Sequence, residues 1–410
     1  MIALEIYRSV PRYLVARAVG ARAPGLLAGP VAPLRLVERE SPQPPAPGWV
    51  RVRPLLSGIC GSDLTTIAGR SSFYFTALVS LPFVPGHEVV GEVVEGVDGF
   101  SQGDRVVIDP VLGCEARGIT PECGPCSSGE KGLCERVTGG HVGAGLQTGY
   151  CHDTGGGWSE MMLAHKSQLH KIPEETSDEA ALMVEPLACA IHAVKRIPMP
   201  NDATVLIVGA GTVGLLTLMA LREFSEVARI IVVAKYERQA EIARTYGAEI
   251  TTPSEAIGAV RRGTRAFRLD PERTDPFLLG GVDVAFECVG SKKGLDLALR
   301  STKARGTVVL SGMPEGADLS PAWFRELNIV GAYSGAGCFE DAIKMTDSEI
   351  GKLVGPAYPL SGWREAIDHA LSAGSLGATK VVFDPRLESS APGVAEVRSR
   401  EEDMEGRHSV

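Results

Sequence analysis

The first half of the chain carries its apolar residues in short alternating runs broken by Gly and Pro. WVRVRPLLSGI at 49–59, HEVVGEVVEGV at 87–97 and GDRVVIDPV at 103–111 keep a two-residue period. That period predicts half-buried strands in an irregular, β-rich domain. MIALEIY at 1–7 alternates in the same way and predicts a first strand. At 174–197 the period changes. EETSDEAALMVEPLACAIHAVKRI repeats its apolar residues at helical spacing behind a Ser/Asp start, and predicts a helix.

From Ala203 the pattern becomes β-α-β. ATVLIVGAGTVG is a buried strand running into a Gly-rich turn, LLTLMALREF a helix, ARIIVVA a second strand and ERQAEIARTYGA a second helix. GVDVAFECVG and GTVVLSGM add further short apolar runs. Near-continuous Val/Ile runs alternating with helices predict a parallel sheet covered on both faces, an α/β class. LNIVGAY, WREAIDHALSAG and ATKVVFD return to mixed structure, and from about Pro385 a charged stretch with few large apolar residues predicts a disordered tail.

Length and charge narrow the classes. At 410 residues the chain needs two domains or more. No apolar run reaches the ~18 residues of a membrane span. A net charge of −9 argues against nucleic-acid binding, which requires a basic surface. The N-terminal stretch through Gly29 is Arg-bearing and acid-poor, slightly like a transit peptide. It lacks an apolar core followed by a small-residue cleavage site, so a cytoplasmic protein is expected. In that compartment clustered cysteines read first as metal ligands rather than disulfides.

GAGTVG spaces Gly209, Gly211 and Gly214 as G-x-G-x-x-G, with Thr212 and Val213 between them. Behind a strand and opening a helix, this spacing predicts a dinucleotide site: a tight turn, backbone approach to a pyrophosphate, and close helix–strand packing. The end of the second strand, where an NAD site carries an acid, holds Ala234 followed by Lys235 and Arg238. Without a carboxylate to repel a 2′-phosphate, and with cations to attract one, NADP is favoured over NAD. Glu237 among those cations weakens the case.

Two groups of residues have metal-ligand chemistry. Cys60 follows a strand-like run, and His87 with Glu88 sits in a Pro-Gly turn; thiolate, imidazole and carboxylate make a plausible zinc shell drawn from separate loops. Cys114, Cys123, Cys126 and Cys134 lie together in one Gly-, Pro- and Ser-rich loop. Cys123 and Cys126 do not open a thioredoxin-like helix, which argues against a redox pair.

In this order, GICGSDL, GHEVVGEVVEGV, GDRV, the cysteine loop and GAGTVG resemble the zinc-dependent alcohol dehydrogenases of the medium-chain dehydrogenase/reductase superfamily, across about residues 35–385. The resemblance implies a GroES-like catalytic domain over 1–190 with a structural zinc lobe at 110–136. It further implies a Rossmann domain over 191–335 and a return to the catalytic domain over 336–385, ahead of the tail at 386–410. Cys60 and His87 match the family's catalytic zinc ligands, and Glu88 the adjacent acid that can approach the metal. The third ligand position falls on Glu185, as in the polyol and threonine dehydrogenase branch, with Cys189 a less favoured competitor.

Ser62 matches the hydroxyl that takes the alcohol proton away from zinc. The histidine that continues this relay in many relatives is replaced by Thr65, leaving water, a ribose hydroxyl or another histidine as the next carrier. Cys123, Cys126 and Cys134 match three structural-zinc ligands. The fourth position holds Thr120, and Cys114 would supply that thiolate by folding back across EARGITPE. A degenerate lobe of three cysteines without metal stays open.

The resemblance thus implies one catalytic and one structural Zn2+, a secondary alcohol or polyol, or the matching carbonyl, as substrate, and a homodimer or homotetramer. Two alternatives remain. One is a zinc-independent quinone or enoyl reductase of the same superfamily, and the other a non-catalytic nucleotide-binding protein. Residues 8–30 find no counterpart in the family.

Overall fold

The ten residues Trp49–Gly58, alternating in burial over Val50–Arg53 and buried throughout from Pro54 on, form the long strand on which the first unit is built. It pairs antiparallel with Val89–Val93, Met162–His165 and Lys380–Phe383. The sheet extends through Arg105–Ile108 to Leu169–Lys171 on one side, and from Lys380–Phe383 to Val354–Tyr358 on the other. Pro54 has no N–H for a ladder, and the register with Val89–Val93 shifts between Pro54 and Leu56, as a proline inside a strand requires. The alternating apolar residues meet in a core of Val50, Val52, Val89, Val93, Val106, Ile108, Met162, Ala164 and Leu169.

The computed structural model describes residues 1–20, 22–29, 31–313, 316–335 and 337–390. These divide into two compact units. One comprises 1–183, 346–372 and 380–390; the other comprises 184–345 and 373–379. The expected helix over 174–197 is two helices, Asp178–Leu182 and Val184–Lys195, and the chain passes between units at the break after Met183. Ser177 caps the first, its side chain accepting from the Ala180 N–H.

The unassigned N-terminal stretch forms a helix, Val10–Gly20, and a 3₁₀ turn, Pro24–Ala28, between two antiparallel strands, Ile2–Ile6 and Leu34–Glu38. Only Ala16 of that helix is buried. Pro385–Ser390, where a tail was expected to begin, form a further 3₁₀ turn, with Arg386 paired to Asp384 and Asp178. Residues 391–410 of the expected tail lie outside the described residues. Among those described, no helix is long and apolar enough to cross a membrane.

The second unit holds a six-stranded parallel sheet. Its order is Glu249–Thr251, Arg229–Val233, Thr204–Val208, Val282–Glu287, Thr302–Leu310, Asn328–Gly331. Numbered within this sheet the order is 3-2-1-4-5-6, the dinucleotide-binding order whose switch point lies beside the first strand. The near-continuous apolar runs read in the sequence are these strands, buried on both faces.

Candidate metal and nucleotide sites

In the first unit, Cys60 sits at the N-cap of the helix Gly61–Ile67. Its backbone N–H donates to Asp63 Oδ2 at 2.9 Å, so the side chain three residues on fixes the turn that presents the thiol. Asp63 is 1% exposed, and its other oxygen faces His87 Nδ1 at 3.6 Å. Burial raises the Asp63 pKa, opposed by the His87 charge and the Cys60 N–H. A carboxylate on Nδ1 leaves Nε2 as the metal-binding atom of the ring, a common arrangement for a ligating histidine. Tyr150 completes the wall: its hydroxyl donates to Asp63 Oδ1 at 3.4 Å, and its ring lies 5.8 Å from that of His87 and 5.2 Å from Phe83.

One ligand atom each from Cys60, His87 and Glu88 come within 4.8 Å of one another. Two segments supply them, Cys60 from one and His87 with Glu88 from the other. The Glu88 carboxylate is also engaged by Lys380, whose Nζ donates to both oxygens at 2.7 and 2.6 Å with both residues buried. Space for that carboxylate depends on Gly58, where a Cβ would stand 1.9 Å from Glu88 Oε2. The Glu88 carbonyl accepts from the Gly58 N–H at 3.0 Å, and Gly58 in turn accepts from Trp158 Nε1 at 3.1 Å.

Ser62 follows in the same helix, its Oγ buried without a hydrogen-bond partner. A buried hydroxyl left unpaired costs about 1–3 kcal/mol, so it reads as a group kept for a ligand. Thr65, at the relay histidine's position, instead donates to Gly61 O of its own helix at 2.8 Å.

The cysteine loop closes on itself. The sulfurs of Cys114, Cys123, Cys126 and Cys134 all lie within 4.8 Å of one another, with Cys114 3.6 Å from Cys123 and 3.7 Å from Cys134. Cys114 therefore does fold back across EARGITPE. Backbone N–H groups of Cys114, Cys123, Glu135 and Arg136 each point at a cluster sulfur at 3.4 Å. Those of Glu135 and Cys126 hold the Cys123 thiol down to about 7, while burial pushes Cys126 and Cys134 up. Four sulfurs converging with N–H donors around them suit a closed tetrahedral zinc site.

The inserted stretch supplies the scaffold. Arg117, fully buried, donates to the carbonyls of Leu112, Gly139, Val142, Gly143 and Gly145.

In the second unit, the helix Thr212–Phe224 begins directly behind the Gly-rich turn. Gly209 has φ 102°, and a Cβ on Gly214 would lie 1.9 Å from Gly209 O. A Cβ on Gly211 would meet nothing within 4 Å. The first glycine serves the turn and the third the packing; the second leaves open backbone where a phosphate approaches. Val213 and Thr212 form the helix's first turn, Thr212 Oγ1 donating to Thr379 O at 3.0 Å.

At the end of the second strand Ala234 is buried, Lys235 lies 5.0 Å over the Tyr236 ring, and Arg238 pairs with Glu241 at 3.5 Å. Glu237 is turned to Arg244 at 2.6 Å. Glu185 belongs to this unit, buried in the first turn of Val184–Lys195 and accepting from the Cys189 thiol at 3.3 Å. Cys189 thus serves that carboxylate.

Sequence reading missed Asp63, Tyr150 and Lys380. Asp63 was visible inside GICGSDL as an acid three residues past the N-cap. Lys380 had a fainter signal, a lysine at the head of an otherwise apolar strand. Tyr150 had none, because its role arises only where a distant loop returns.

A β-rich unit with converging metal-ligand side chains, in one chain with a unit holding a 3-2-1-4-5-6 parallel sheet and a phosphate-binding turn, defines a metal-dependent nicotinamide oxidoreductase in class. Comparison with known proteins agrees. Residues 46–174 match the alcohol dehydrogenase GroES-like domain family, and 212–348 the zinc-binding dehydrogenase family. The chain is 33% identical to sorbitol dehydrogenase of Arabidopsis thaliana over 298 residues, covering 70% of this chain and 74% of that protein. It resembles the crystal structure of 2R,3R-butanediol dehydrogenase from Bacillus subtilis at 26% identity, with a TM-score of 0.67 over 86% of this chain and 96% of that one. A zinc-binding dehydrogenase structure from Sinorhizobium meliloti bound to NADP matches at 26% identity and TM-score 0.67, over 86% and 95%. The chain belongs to the zinc-dependent alcohol dehydrogenase family of the medium-chain dehydrogenases, and is an oxidoreductase that moves hydride between a nicotinamide cofactor and an alcohol.

Proposed function

We propose that this protein oxidises a secondary alcohol or polyol, or reduces the matching carbonyl, with NADP preferred to NAD. Its zinc would be held by Cys60 and His87, with Glu88 as the acid that completes or approaches the shell. The observation that carries the reading is the convergence of Cys60, His87 and Glu88 around one point, with Asp63 steering His87. Bound zinc supplies a Lewis acid that lowers the pKa of an alcohol hydroxyl and polarises a carbonyl. Ser62 Oγ takes the hydroxyl proton as the carbinol carbon gives hydride to the nicotinamide; in reverse it returns that proton. The relatives' names, sorbitol and butanediol dehydrogenases, support vicinal or polyhydric alcohols as the class to test.

NADP is supported by Ala234 in the acid's slot and by Lys235, which makes no ion pair among the described residues. Cys114, Cys123, Cys126 and Cys134 would hold a second, structural zinc whose binding orders a loop with little apolar core. A homo-oligomer is supported by the sheet edge at Asn328–Gly331. There Ile329 is exposed, and the neighbouring Trp323 and Phe324 are 83% and 64% exposed. Nine cysteines, with no disulfide among the described residues, favour the cytoplasm.

The test is zinc per chain in the purified protein beside Cys60→Ser and Cys126→Ser, with turnover of secondary alcohols and polyols on both cofactors. Two zincs, one lost in each variant, with turnover lost in Cys60→Ser, is the expected outcome. Turnover retained in Cys60→Ser, or a zinc count that this variant leaves unchanged, would overturn the catalytic assignment and favour a metal-free reductase.

A further inference from the structure

The helix Val10–Gly20 carries apolar residues nearly all round it, broken by Arg12 and Arg17. Its inward side is occupied. Ala16 is buried, the Tyr13 hydroxyl donates to Ser71 O at 2.8 Å, and a Cβ on Gly20 would stand 3.0 Å from Leu27 Cδ1. At about 100° per residue, Tyr13, Ala16 and Gly20 share that side, and Pro11, Leu14, Val15 and Ala18 share the opposite one. All four of the latter are exposed, Leu14 by 55%. A helix that is apolar all round is ordinarily buried all round, so this one shows a face without its cover.

The apolar surface continues past the helix. The 3₁₀ turn Phe73–Ala77 holds the Phe73 ring 5.5 Å from that of Tyr13, with the Arg17 guanidinium 6.0 Å from the Phe73 centroid. Phe73 is exposed, and Tyr74 beside it is 76% exposed.

The charge around this surface has one sign. From Ile6 to Val37 the sequence has five arginines and no acid, in a chain whose net charge is −9. Arg35 is taken by Glu5 at 2.6 Å. Helical spacing puts Arg12 and Arg17 at the two margins of the outward face, and Arg8 and Arg22 lie beyond its ends. Arg8, Arg17 and Arg22 are exposed.

The occupant must therefore supply both apolar cover and negative charge. A second copy across a twofold axis would set these arginines against one another. The acid-rich stretch with Glu401, Glu402, Asp403 and Glu405 would meet the charge, but residues 391–410 have few large apolar side chains to cover the face. An anionic bilayer supplies both, with phosphates for the guanidiniums and an acyl boundary for leucine, valine and aromatic rings. Eleven residues are too few to span it, so the helix would lie in the plane of the surface.

We propose that the outward face of Val10–Gly20, together with Phe73 and Tyr74, docks the protein reversibly on an anionic phospholipid bilayer. Leu14, Val15 and Tyr74 enter the headgroup boundary, and the arginines at the margins keep their charge at the phosphates. The inference stands apart from the metal and cofactor assignments.

The experiment sediments the purified full chain with vesicles of phosphatidylcholine alone, or with phosphatidylglycerol as about a third of the lipid, at low and high salt. Wild type is compared with two double variants, Leu14→Ser with Tyr74→Ser and Arg8→Gln with Arg22→Gln. All four side chains are exposed, so melting temperatures should stay at the wild-type value. Wild type should bind the anionic vesicles and not the neutral ones, and high salt should weaken binding. The arginine pair should lose roughly twentyfold in vesicle affinity, at about fivefold per cation near an anionic surface. The apolar pair should lose about tenfold or more.

No binding to anionic vesicles, or binding that both double variants keep, would overturn the proposal. A wild type that ignores vesicles and binds polyglutamate would assign the face to an acidic peptide instead. One that ignores vesicles and forms a dimer, dissociated by Leu14→Ser with Tyr74→Ser in analytical ultracentrifugation, would assign it to a second copy. Either result overturns the membrane reading and leaves the dehydrogenase standing.

Discussion

Replacing Lys380 by Met tests the electrostatics of the catalytic region without touching a thiol or an imidazole. Lys380 and Glu88 are 4% and 2% exposed, and the ammonium bonds both carboxylate oxygens. Removing one partner of a buried pair strands the other charge, which typically costs about 3–5 kcal/mol. Methionine keeps the length and most of the volume of lysine, so packing contributes little to the change. The loss should be largest in zinc-free protein. The Glu88 carboxylate lies beside Cys60 and His87, so a zinc held by those residues would supply a positive charge in place of the ammonium.

Urea unfolding followed by tryptophan fluorescence in a Trp323→Phe background, which leaves Trp49, Trp158 and Trp363, all in the first unit, reads that unit. For a unit of this size, with a slope near 2–3 kcal/mol/M, the zinc-free midpoint should fall by roughly 1–2 M. Adding Glu88→Gln should return most of that loss, since no charge is then stranded. A Lys380→Met protein within about 1 kcal/mol of wild type when stripped of zinc would refute the argument, given the penalty expected for a stranded buried charge. So would a double variant no more stable than the single one.

Two further outcomes follow from buried groups outside the catalytic region. His165 accepts the Ser167 N–H on Nδ1 at 3.2 Å, and burial, then Lys166, His141 and Lys131, hold its pKa down to about 4. Its folded pKa lies below the unfolded value, so the unfolded chain takes the proton first. Stability should fall as pH drops from about 6.5 towards 4, by at most roughly 3 kcal/mol. His165→Gln should flatten that part of a melting-temperature profile, and an unchanged slope would count against it. Arg117→Met would leave five carbonyls of the cysteine lobe without their shared donor, a loss of more than about 3 kcal/mol by the worth of charge-assisted bonds. It should speed zinc loss to a chelator at least tenfold while sparing the parallel-sheet unit, and wild-type release would remove Arg117 from its role.

The sequence by itself determined what depends on neighbours a few residues apart. Two-residue alternation specified Trp49–Gly58 and Val89–Val93, and continuous apolar runs specified the parallel strands. The spacing of Gly209, Gly211 and Gly214 fixed a turn whose conformation is local, and three of the four lobe cysteines lie within twelve residues of one another. The helix Val10–Gly20 left no readable pattern because it buries only Ala16, so no apolar stripe marks it. The longer predicted helix over 174–197 split at a mark that its apolar period ran past: Pro186, without an N–H, fits the first turn of Val184–Lys195 but not the interior of one continuous helix.

Only tertiary structure decided the rest. Lys380 meets Glu88 across 292 residues, and Tyr150 meets Asp63 across 87. Such pairs have no period to betray them. They exist because strand register sets Lys380–Phe383 against Trp49–Gly58, and because the loop bearing Tyr150 returns beside the helix that opens at Cys60. Chemistry-bearing residue types were legible in one dimension; which charge offsets which is a matter of distances that only the folded chain sets.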